Sequence, residues 1–257
     1  MATQSIANDA ASDIFEELDT TAIALLLDVD GTLIDIGPSP QDVHVADELR
    51  DSLAHLFQAT NGALALVSGR SVADLDALFA PLRLPAVGGH GAELRLRAGE
   101  AASLAAPLPA DLRRKLAEAA SPGSGILVED KGYSLALHYR QAPQHEDRVR
   151  SHIAAGRAAY PREATEVLPG KAMFEVKRPN VSKGEGVRNL MRRPPFAGRM
   201  PVFIGDDVTD ESVFARLAEW GGKGFSVGRH FVGLAGVFNS PNDVRRALQR
   251  LAAKARS

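Results

Sequence analysis

Two carboxylates stand at the end of an apolar segment near the N-terminus. Residues 23–27 form a continuous apolar run, the pattern of a strand buried on both faces of a parallel sheet, and Asp28 and Asp30 follow it. Gly31 permits a sharp turn that would bring both carboxylates towards one pocket. Because two such charges repel each other unless a cation or a proton compensates them, the pair indicates acid–base chemistry or a metal site. An ordinary turn built from Asp and Gly is the alternative.

Four acidic residues lie close together after a second apolar segment. Residues 202–204 are apolar, and Asp206, Asp207, Asp210 and Glu211 occupy four of the six positions from 206 to 211. Capping of the next helix is the structural alternative, but it does not require four acids. A bound cation explains this concentration of charge better. Since the chain has no cysteine, the available oxygen ligands favour Mg²⁺.

Two further segments carry groups suited to phosphate. Ser68, Gly69 and Arg70 follow the apolar segment 63–67 and supply a hydroxyl, a permissive glycine and a guanidinium shaped for phosphate oxygens. Lys183 begins a predicted helix, where backbone N–H groups already favour anions. Each of these also fits an ordinary turn or a surface lysine. Because ligands bind at the carboxyl ends of parallel strands, we expect these side chains to share a site with the acidic residues.

Strands and helices alternate in the first part of the chain and again after residue 182. The pattern predicts strands at 23–27, 63–67, 85–87 and 202–204 and helices at 43–58, 72–79 and 184–191. The predicted fold class is therefore α/β, with a Rossmann-like open parallel sheet as the core. We expect a polar N-terminal tail over residues 1–20 and a core over 21–106 and 180–257.

The middle of the chain, residues 107–179, follows a different pattern. Its predicted strands come in adjacent pairs with helices between them, which indicates a small α+β domain inserted into the core. The expected helices are 111–120 and 144–159, and the expected strands are 126–128, 133–140, 166–168 and 172–177.

Charged side chains alternate with apolar ones in the strands of this insert. His138 and Arg140 share one face of the longest predicted strand. Glu129 and Lys131 share one face of the strand before it, and Glu175 lies in the later strand. A sheet that presents these groups together suits the hydroxyl groups of a sugar. The same pattern fits the solvated outer face of a half-buried sheet, so alternation alone leaves both interpretations open.

The charge balance and composition argue against several classes of protein. The chain has 257 residues, of which 30 are basic and 32 acidic, and no long basic run, so neither a nucleic acid nor a membrane is an expected partner. Residues 1–20 contain no Lys or Arg and no apolar run typical of a secretory signal. Without cysteines for disulfides, we expect a cytoplasmic location. The lack of an obvious exposed apolar stripe favours a monomer.

Taken in order, these motifs resemble the haloacid dehalogenase-like phosphohydrolase superfamily. The resemblance implies that Asp28 attacks phosphorus and becomes a phospho-aspartate, and that Asp30 acts as general acid and then as general base. It also implies that Ser68 and Lys183 steady the phosphoryl oxygens. The motifs that carry it are Asp28-x-Asp30-Gly31-Thr32, Ser68, Lys183 and Gly205-Asp206-Asp207-x-x-Asp210.

The superfamily resemblance also implies a magnesium site. The ion would be held by Asp28, the backbone carbonyl of Asp30 and Asp206, with Asp207 or Asp210 orienting these ligands. Mg²⁺ would offset the charge of the phosphate and let one anion approach another.

Within the superfamily, the chain is most similar to the trehalose-6-phosphate phosphatase family from about Ile23 to Phe238. The resemblance implies a mobile cap that binds the disaccharide, with hinges near 105–109 and 178–182, and a role in trehalose biosynthesis as a stand-alone phosphatase. Val29 stands where the family often has Tyr. The motifs are Gly88-Gly89-His90-Gly91-Ala92-Glu93, Lys131-Gly132, His138-x-Arg140, Gly170-Lys171, Glu175 and the segments around Lys183 and Asp206.

The same resemblance gives the expected substrate-binding residues. In the core they are Thr32, Ser68, Gly69, Arg70, His90 and Gly91, and in the cap they are Glu129, Lys131, His138, Arg140, Lys171 and Glu175. The alternatives are a phosphatase for sucrose 6-phosphate, mannosylglycerate phosphate or another hexose phosphate, a phosphomutase, and a sugar-phosphate sensor without catalysis. A sensor has no need of both Asp28 and Asp30, which favours an enzyme.

Overall fold

The chain divides into two compact units. The computed structural model describes residues 11–36, 44–97, 100, 102–103, 105–170 and 172–256. The larger unit comprises Met1–Leu104 and Ser182–Ser257, and the smaller unit is Ala105–Val181. The insert expected at 107–179 differs from the smaller unit by two residues at each end.

A mixed sheet forms the centre of the larger unit. Its strands are β1 (Ile23–Leu27), β2 (Leu64–Val67), β3 (Ala86–Gly88), β4 (Glu93–Arg95), β5 (Ala102–Ser103), β10 (Met200–Gly205), β11 (Lys223–Val227) and β12 (Gly236–Phe238). Within the described residues the strand order is β12-β11-β10-β1-β2-β3-β4-β5. The run from β12 to β3 is parallel, whereas β4 and β5 add an antiparallel edge that the sequence pattern did not predict. The predicted α/β class with a parallel-sheet core is confirmed.

Helices cover both faces of this sheet. They are α1 (Asp47–Ala59), α2 (Val72–Leu78), α5 (Lys183–Met191), α6 (Glu211–Leu217) and α7 (Pro241–Lys254), with 3-10 turns at Gly89–Gly91, Val208–Asp210 and Ala218–Trp220. Ser71, Ser182 and Ser240 begin α2, α5 and α7 by accepting a backbone N–H from the first turn. Alternate residues of β1 belong to two different core clusters, one on each face, which explains its continuous apolar sequence.

The N-terminal segment is part of the core from residue 11 onwards. Residues 11–16 are helical, and Ala11, Phe15 and Leu18 are buried. The Phe15 ring lies 5.5 Å from Phe225 and 6.0 Å from Phe238, measured between centroids. The expected polar tail is therefore wrong for residues 11–18, because Ala11 and Phe15, four positions apart, lie on one face of this helix and Leu18 follows it into the core. Its first ten residues lie outside the described part of the chain.

The smaller unit is an antiparallel sheet with helices on one face. It contains α3 (Ala110–Ala117), α4 (Glu146–Ala158), a 3-10 turn at Pro143–His145, and strands β6 (Leu127–Asp130), β7 (Ser134–His138), β8 (Glu166–Gly170) and β9 (Met173–Lys177). Within the described residues the strand order is β6-β7-β9-β8. Leu135, Leu137 and Val176 pack with Leu116 and Val149 of the helices, which leaves the opposite face of the sheet polar. In the described ranges, no helix has the length and apolar character needed to cross a membrane.

Candidate active site

The two acidic segments of the sequence meet at one edge of the larger sheet. β1 and β10 are parallel neighbours, with Leu27 opposite Ile204, so Asp28 and Asp206 follow them at adjacent strand ends. Gly31 has φ +83°, and a Cβ at this position would lie 2.2 Å from Asp206 Oδ2. A side chain there would push the carboxylate away.

Lys183 lies between two carboxylates. Its Nζ atom is 2.6 Å from Asp28 Oδ1 and 2.7 Å from Asp210 Oδ1, and only 4% of its side chain is exposed. Ser182 caps the first turn of α5 and so fixes the backbone that carries this lysine. A Cβ at Gly184 would lie 2.1 Å from a carbonyl oxygen of α6, so the start of α5 can approach its neighbour closely. The lysine is therefore held by both its helix and its ion pairs.

Asp210 is engaged on both of its carboxylate oxygens. Oδ1 accepts from Lys183, and Oδ2 accepts the backbone N–H groups of Asp206 and Asp207, both at 2.9 Å. A Cβ at Gly205 would lie 2.5 Å from the same Oδ2, so the loop closes tightly round this carboxylate. Asp210 thus fixes the loop, whereas Asp207 is exposed and caps the following 3-10 turn.

Asp28, Asp206 and Asp210 form an acidic cluster that suits a metal ion. One oxygen from each lies within 4.8 Å of the others. Thr32 Oγ1 is 3.2 Å from Asp28 Oδ2 and 3.2 Å from Asp206 Oδ1, and since the hydroxyl carries one proton it donates to one of them at a time. The oxygens of Asp28 and Asp206 near Thr32 therefore keep acceptor capacity for a hard cation such as Mg²⁺.

Burial raises the pKa of all three carboxyl groups. The pKa of Asp28 rises to about 6, because desolvation outweighs the nearby charge of Lys183. Burial and repulsion from Asp28 raise the pKa of Asp210 to about 6, and burial also raises the pKa of Asp206. Burial opposes the charge of Lys183, but Asp28 and Asp210 more than compensate and raise its pKa. The three carboxyl groups thus have one ammonium group to offset their negative charge, and an added cation would reduce this excess of negative charge.

The excess of buried carboxyl groups over ammonium groups predicts that the stability of the metal-free protein depends on pH. An acid whose pKa rises from 3.8 to about 6 on folding contributes stability below the lower value, and that stability is lost as the pH rises through the higher one. In EDTA, the free energy of unfolding of the wild type should fall by about 2 kcal/mol relative to that of Asp28→Asn as the pH rises from about 4.5 to about 7.5. Urea unfolding of both proteins measures this difference. A difference that does not change with pH would contradict the prediction.

Asp30 forms a bidentate ion pair with Arg70. Arg70 Nε and Nη2 donate to Asp30 Oδ2 and Oδ1 at 2.7 and 2.6 Å, a geometry typical of strong charge-assisted hydrogen bonds. The backbone N–H of Arg70 also donates to Ser68 Oγ at 3.1 Å. From the sequence, Asp30 is expected to act as an acid and Arg70 as a phosphate ligand. In this structure the two side chains bind each other.

The turn at His90 and Gly91 joins these residues to the start of α5. His90 has φ +54°, and its Nε2 atom would lie 2.4 Å from a Cβ at Gly69. Gly91 has φ +100°, and a Cβ there would lie 2.0 Å from the carbonyl oxygen of Ser182. The His90 N–H donates to the carbonyl of Ser68 at 3.0 Å. These close contacts connect the expected phosphate-side residues to the start of the helix that carries Lys183.

The polar face of the smaller unit gathers most of the expected sugar-binding residues. Glu129 and Glu175 both lie opposite Ala136, on either side of it, so they share one row across the sheet. Lys131 Nζ is 3.6 Å from Glu129 Oε1 and 3.9 Å from Glu175 Oε1. His138 Nε2 lies 3.3 Å from Glu129 Oε2. We call Glu129, Lys131, Ser134, His138 and Glu175 the polar row.

Sequence reasoning missed one member of the polar row and misplaced one residue. Ser134 Oγ donates to Glu175 Oε1 at 2.6 Å, and the alternation that selected His138 also placed Ser134 on this face. Arg140 was expected in a strand over 133–140. That expectation is wrong at its end, since β7 stops at His138 and Arg140 is exposed in the following turn. Lys171 lies outside the described residues.

A parallel-sheet core with a separate antiparallel unit is the architecture of the haloacid dehalogenase-like fold class. The family model for trehalose-phosphatase matches residues 26–232. A relative from Escherichia coli (strain K12), trehalose-6-phosphate phosphatase, is 42% identical over 207 residues, which is 80% of this chain and 77% of that protein. The chain therefore belongs to the trehalose-phosphatase family.

Further similar proteins agree with this assignment. A relative from Sinorhizobium fredii, a probable trehalose-phosphate phosphatase, is 38% identical over 226 residues, 87% of this chain and 84% of that protein. The C-terminal domain of the C. albicans trehalose-6-phosphate phosphatase superposes with a TM-score of 0.74 at 23% identity and covers 96% of each chain. At that identity the superposition shows a shared fold.

Proposed function

We propose that the protein hydrolyses trehalose 6-phosphate to trehalose and phosphate through a phospho-aspartate on Asp28. The observation that carries the proposal is the buried Asp28 carboxylate at the end of β1, held by Lys183 at 2.6 Å and faced by Thr32 and Asp206. A carboxylate oxygen attacks phosphorus and the bond to the sugar oxygen breaks. Water then cleaves the acyl phosphate and regenerates Asp28.

The proposed acid–base residue, Asp30, has to separate from Arg70 before it can act. Both of its oxygens accept from the Arg70 guanidinium, so the carboxyl group is occupied while the pair is closed. A substrate phosphate is a competing acceptor for this guanidinium, because Arg binds phosphate and carboxylate in the same bidentate manner. Phosphate binding would thus release Asp30 to protonate the leaving sugar oxygen and later to deprotonate water.

The residues at the edge of the larger sheet fit Mg²⁺. Asp28, Asp206 and the backbone carbonyl of Asp30 would hold the ion, since the two oxygens of Asp210 are already engaged by Lys183 and by backbone N–H groups. When bound, Mg²⁺ supplies positive charge that offsets the phosphate charge. Asp210 would act by positioning the loop that carries Asp206, and Asp207 by orienting its neighbours.

Phosphate release from three esters tests this function. We expect magnesium-dependent release from trehalose 6-phosphate, at a clearly higher kcat/KM than from sucrose 6-phosphate or glucose 6-phosphate, and complete loss in EDTA. Equal release from all three would contradict the proposed substrate. Transfer of the phosphoryl group to another position of the sugar would indicate a phosphomutase, and binding without release would indicate a sensor.

We further propose that the polar row of the smaller unit recognises the sugar. Glu175 is buried, accepts a hydrogen bond from Ser134 and lies 3.9 Å from the Lys131 ammonium group, whereas Glu129 is half exposed and available to a ligand. Carboxylates accept hydrogen bonds from sugar hydroxyls, and a charged hydrogen bond contributes more than a neutral one. Recognition by such groups penalises a substrate that leaves them unpaired.

Replacement of Glu129 by Gln should therefore change specificity more than chemistry. We expect kcat/KM for trehalose 6-phosphate to fall about 10- to 100-fold, because a charged hydrogen bond is lost. The rate with p-nitrophenyl phosphate, which has no sugar, should stay within about twofold of wild type. Glu118→Gln, at an exposed glutamate paired with Lys115, is the matched control. An equal fall in kcat/KM for both substrates would show that Glu129 does not take part in sugar recognition.

A further inference from the structure

A cavity in the larger unit lies at the opposite end of α5 from Lys183. Its volume is about 400 Å³, a size typical of small-molecule sites. Arg188 and Met191 of α5 line it together with Arg192, which directly follows that helix, and Trp220 lines it from the 3-10 turn after α6. At about 1.5 Å per residue, Arg192 lies roughly 13 Å along the helix axis from Lys183. This arginine cavity is therefore separate from the candidate active site.

Positive charge exceeds negative charge around the arginine cavity. Four guanidinium groups line it, those of Arg188, Arg192, Arg199 and Arg216. Among the described residues, two carboxylates accompany these groups: Glu185, which pairs with Arg188 and Arg216, and Glu219, which lines the cavity and lies 3.9 Å from Arg216. Arg199 donates to backbone carbonyls of residues 21, 23 and 195, which leave its charge uncompensated. The cavity thus carries two more positive than negative groups, a balance that attracts an anion.

Two of these arginines have donors without acceptors. Arg192 is exposed, and its side chain makes no ion pair or hydrogen bond with any part of the chain that the structure describes. The Nε atom of Arg188 is buried and has no acceptor among the described residues. A buried donor without a partner costs free energy, and an anion in the cavity would satisfy it. Free guanidinium donors of this kind match the oxygens of a phosphate group.

The remaining wall of the cavity is apolar. Trp220 is partly buried against the core, and Met191, which also lines the cavity, is buried. An indole ring next to guanidinium groups suits a flat aromatic ligand, since stacking and cation–π contacts both favour it. A ligand with a phosphate at one end and an aromatic ring at the other would use both parts of the lining.

We propose that the arginine cavity binds a nucleoside monophosphate, with the phosphate on Arg188 and Arg192 and the base against Trp220. The chain has one tryptophan, so its fluorescence reports on this cavity alone. The proposal goes beyond the phosphatase function and does not depend on it. It adds a binding site on the helix that carries Lys183.

The test is a titration of the full-length protein with AMP in EDTA, followed by tryptophan emission excited at the red edge of the absorption band. We expect a saturable change with a dissociation constant on the order of 10⁻⁴ M or tighter. Adenosine should bind at least about tenfold more weakly, because it lacks the charged acceptor. Inorganic phosphate alone should also bind at least about tenfold more weakly, because it lacks the ring.

Arg192→Gln is the main variant, since Arg192 is exposed and its side chain has no ion pair or hydrogen bond among the residues that the structure describes. It should weaken AMP binding at least about tenfold. Arg114→Gln, at an exposed arginine of the smaller unit, is the control and should bind AMP as wild type does. Asp28→Asn should also bind AMP unchanged. The proposal is overturned if AMP gives no saturable change, if Arg192→Gln binds AMP as tightly as wild type, or if Asp28→Asn abolishes the signal.

Discussion

Asp28→Asn should lower the rate of phosphate release from trehalose 6-phosphate by at least about a thousandfold, because the amide cannot act as a nucleophile towards phosphorus. The fold should be unaffected. Asn has nearly the same shape as Asp, and Lys183 keeps its second partner, Asp210, at 2.7 Å. At neutral pH in EDTA the variant should even be more stable than wild type, since it removes a buried carboxylate whose pKa is raised to about 6.

Single-turnover and steady-state phosphate release measure the loss, and circular dichroism checks the fold. Asp111→Asn makes the same chemical change at an exposed residue of α3, where the pair with Arg114 contributes little to stability. This control should be as active as wild type. Activity of Asp28→Asn within about tenfold of wild type would exclude Asp28 as the nucleophile.

Lys183→Met should lose both activity and stability. The side chain keeps its approximate volume but loses the ammonium group that lies between Asp28 and Asp210. Removing one partner of a buried ion pair leaves an uncompensated charge. We therefore expect the free energy of unfolding to fall by about 3–5 kcal/mol at neutral pH in EDTA. Phosphate release should fall by about a thousandfold, because the developing charge loses a positioned cation.

The pH dependence separates this electrostatic role from simple packing. As the pH is lowered through the raised pKa values of Asp28 and Asp210, both carboxyl groups become protonated and the stability deficit of Lys183→Met should shrink. Added Mg²⁺ at neutral pH should restore part of the stability but little activity. Lys115→Met, at an exposed lysine of α3, is the matched control. A deficit that is the same at all pH values would show that Lys183 acts through packing alone.

Local sequence patterns were sufficient to predict most of the strands that position the candidate active site. The apolar run of β1 was predicted with its observed bounds, Ile23–Leu27, because a strand buried on both faces leaves a continuous apolar signature. Period-two alternation likewise placed His138 on the polar face of β7. The antiparallel edge formed by β4 and β5 was missed, since such short strands carry too few residues to establish a period.

The sequence by itself determined which residue types stand at the strand ends and, through the spacing of its motifs, the family of the protein. Only the tertiary structure decided which of those side chains bind each other. Arg70 and Asp30 are forty positions apart and form an ion pair because the ends of two strands lie side by side. Asp210 binds Lys183 because α5 packs against α6. The arginine cavity likewise combines residues from α5, α6 and the loop before β10. Periodicity reports how a segment meets its surroundings, whereas pairing between distant side chains depends on how the elements pack, which no local pattern records.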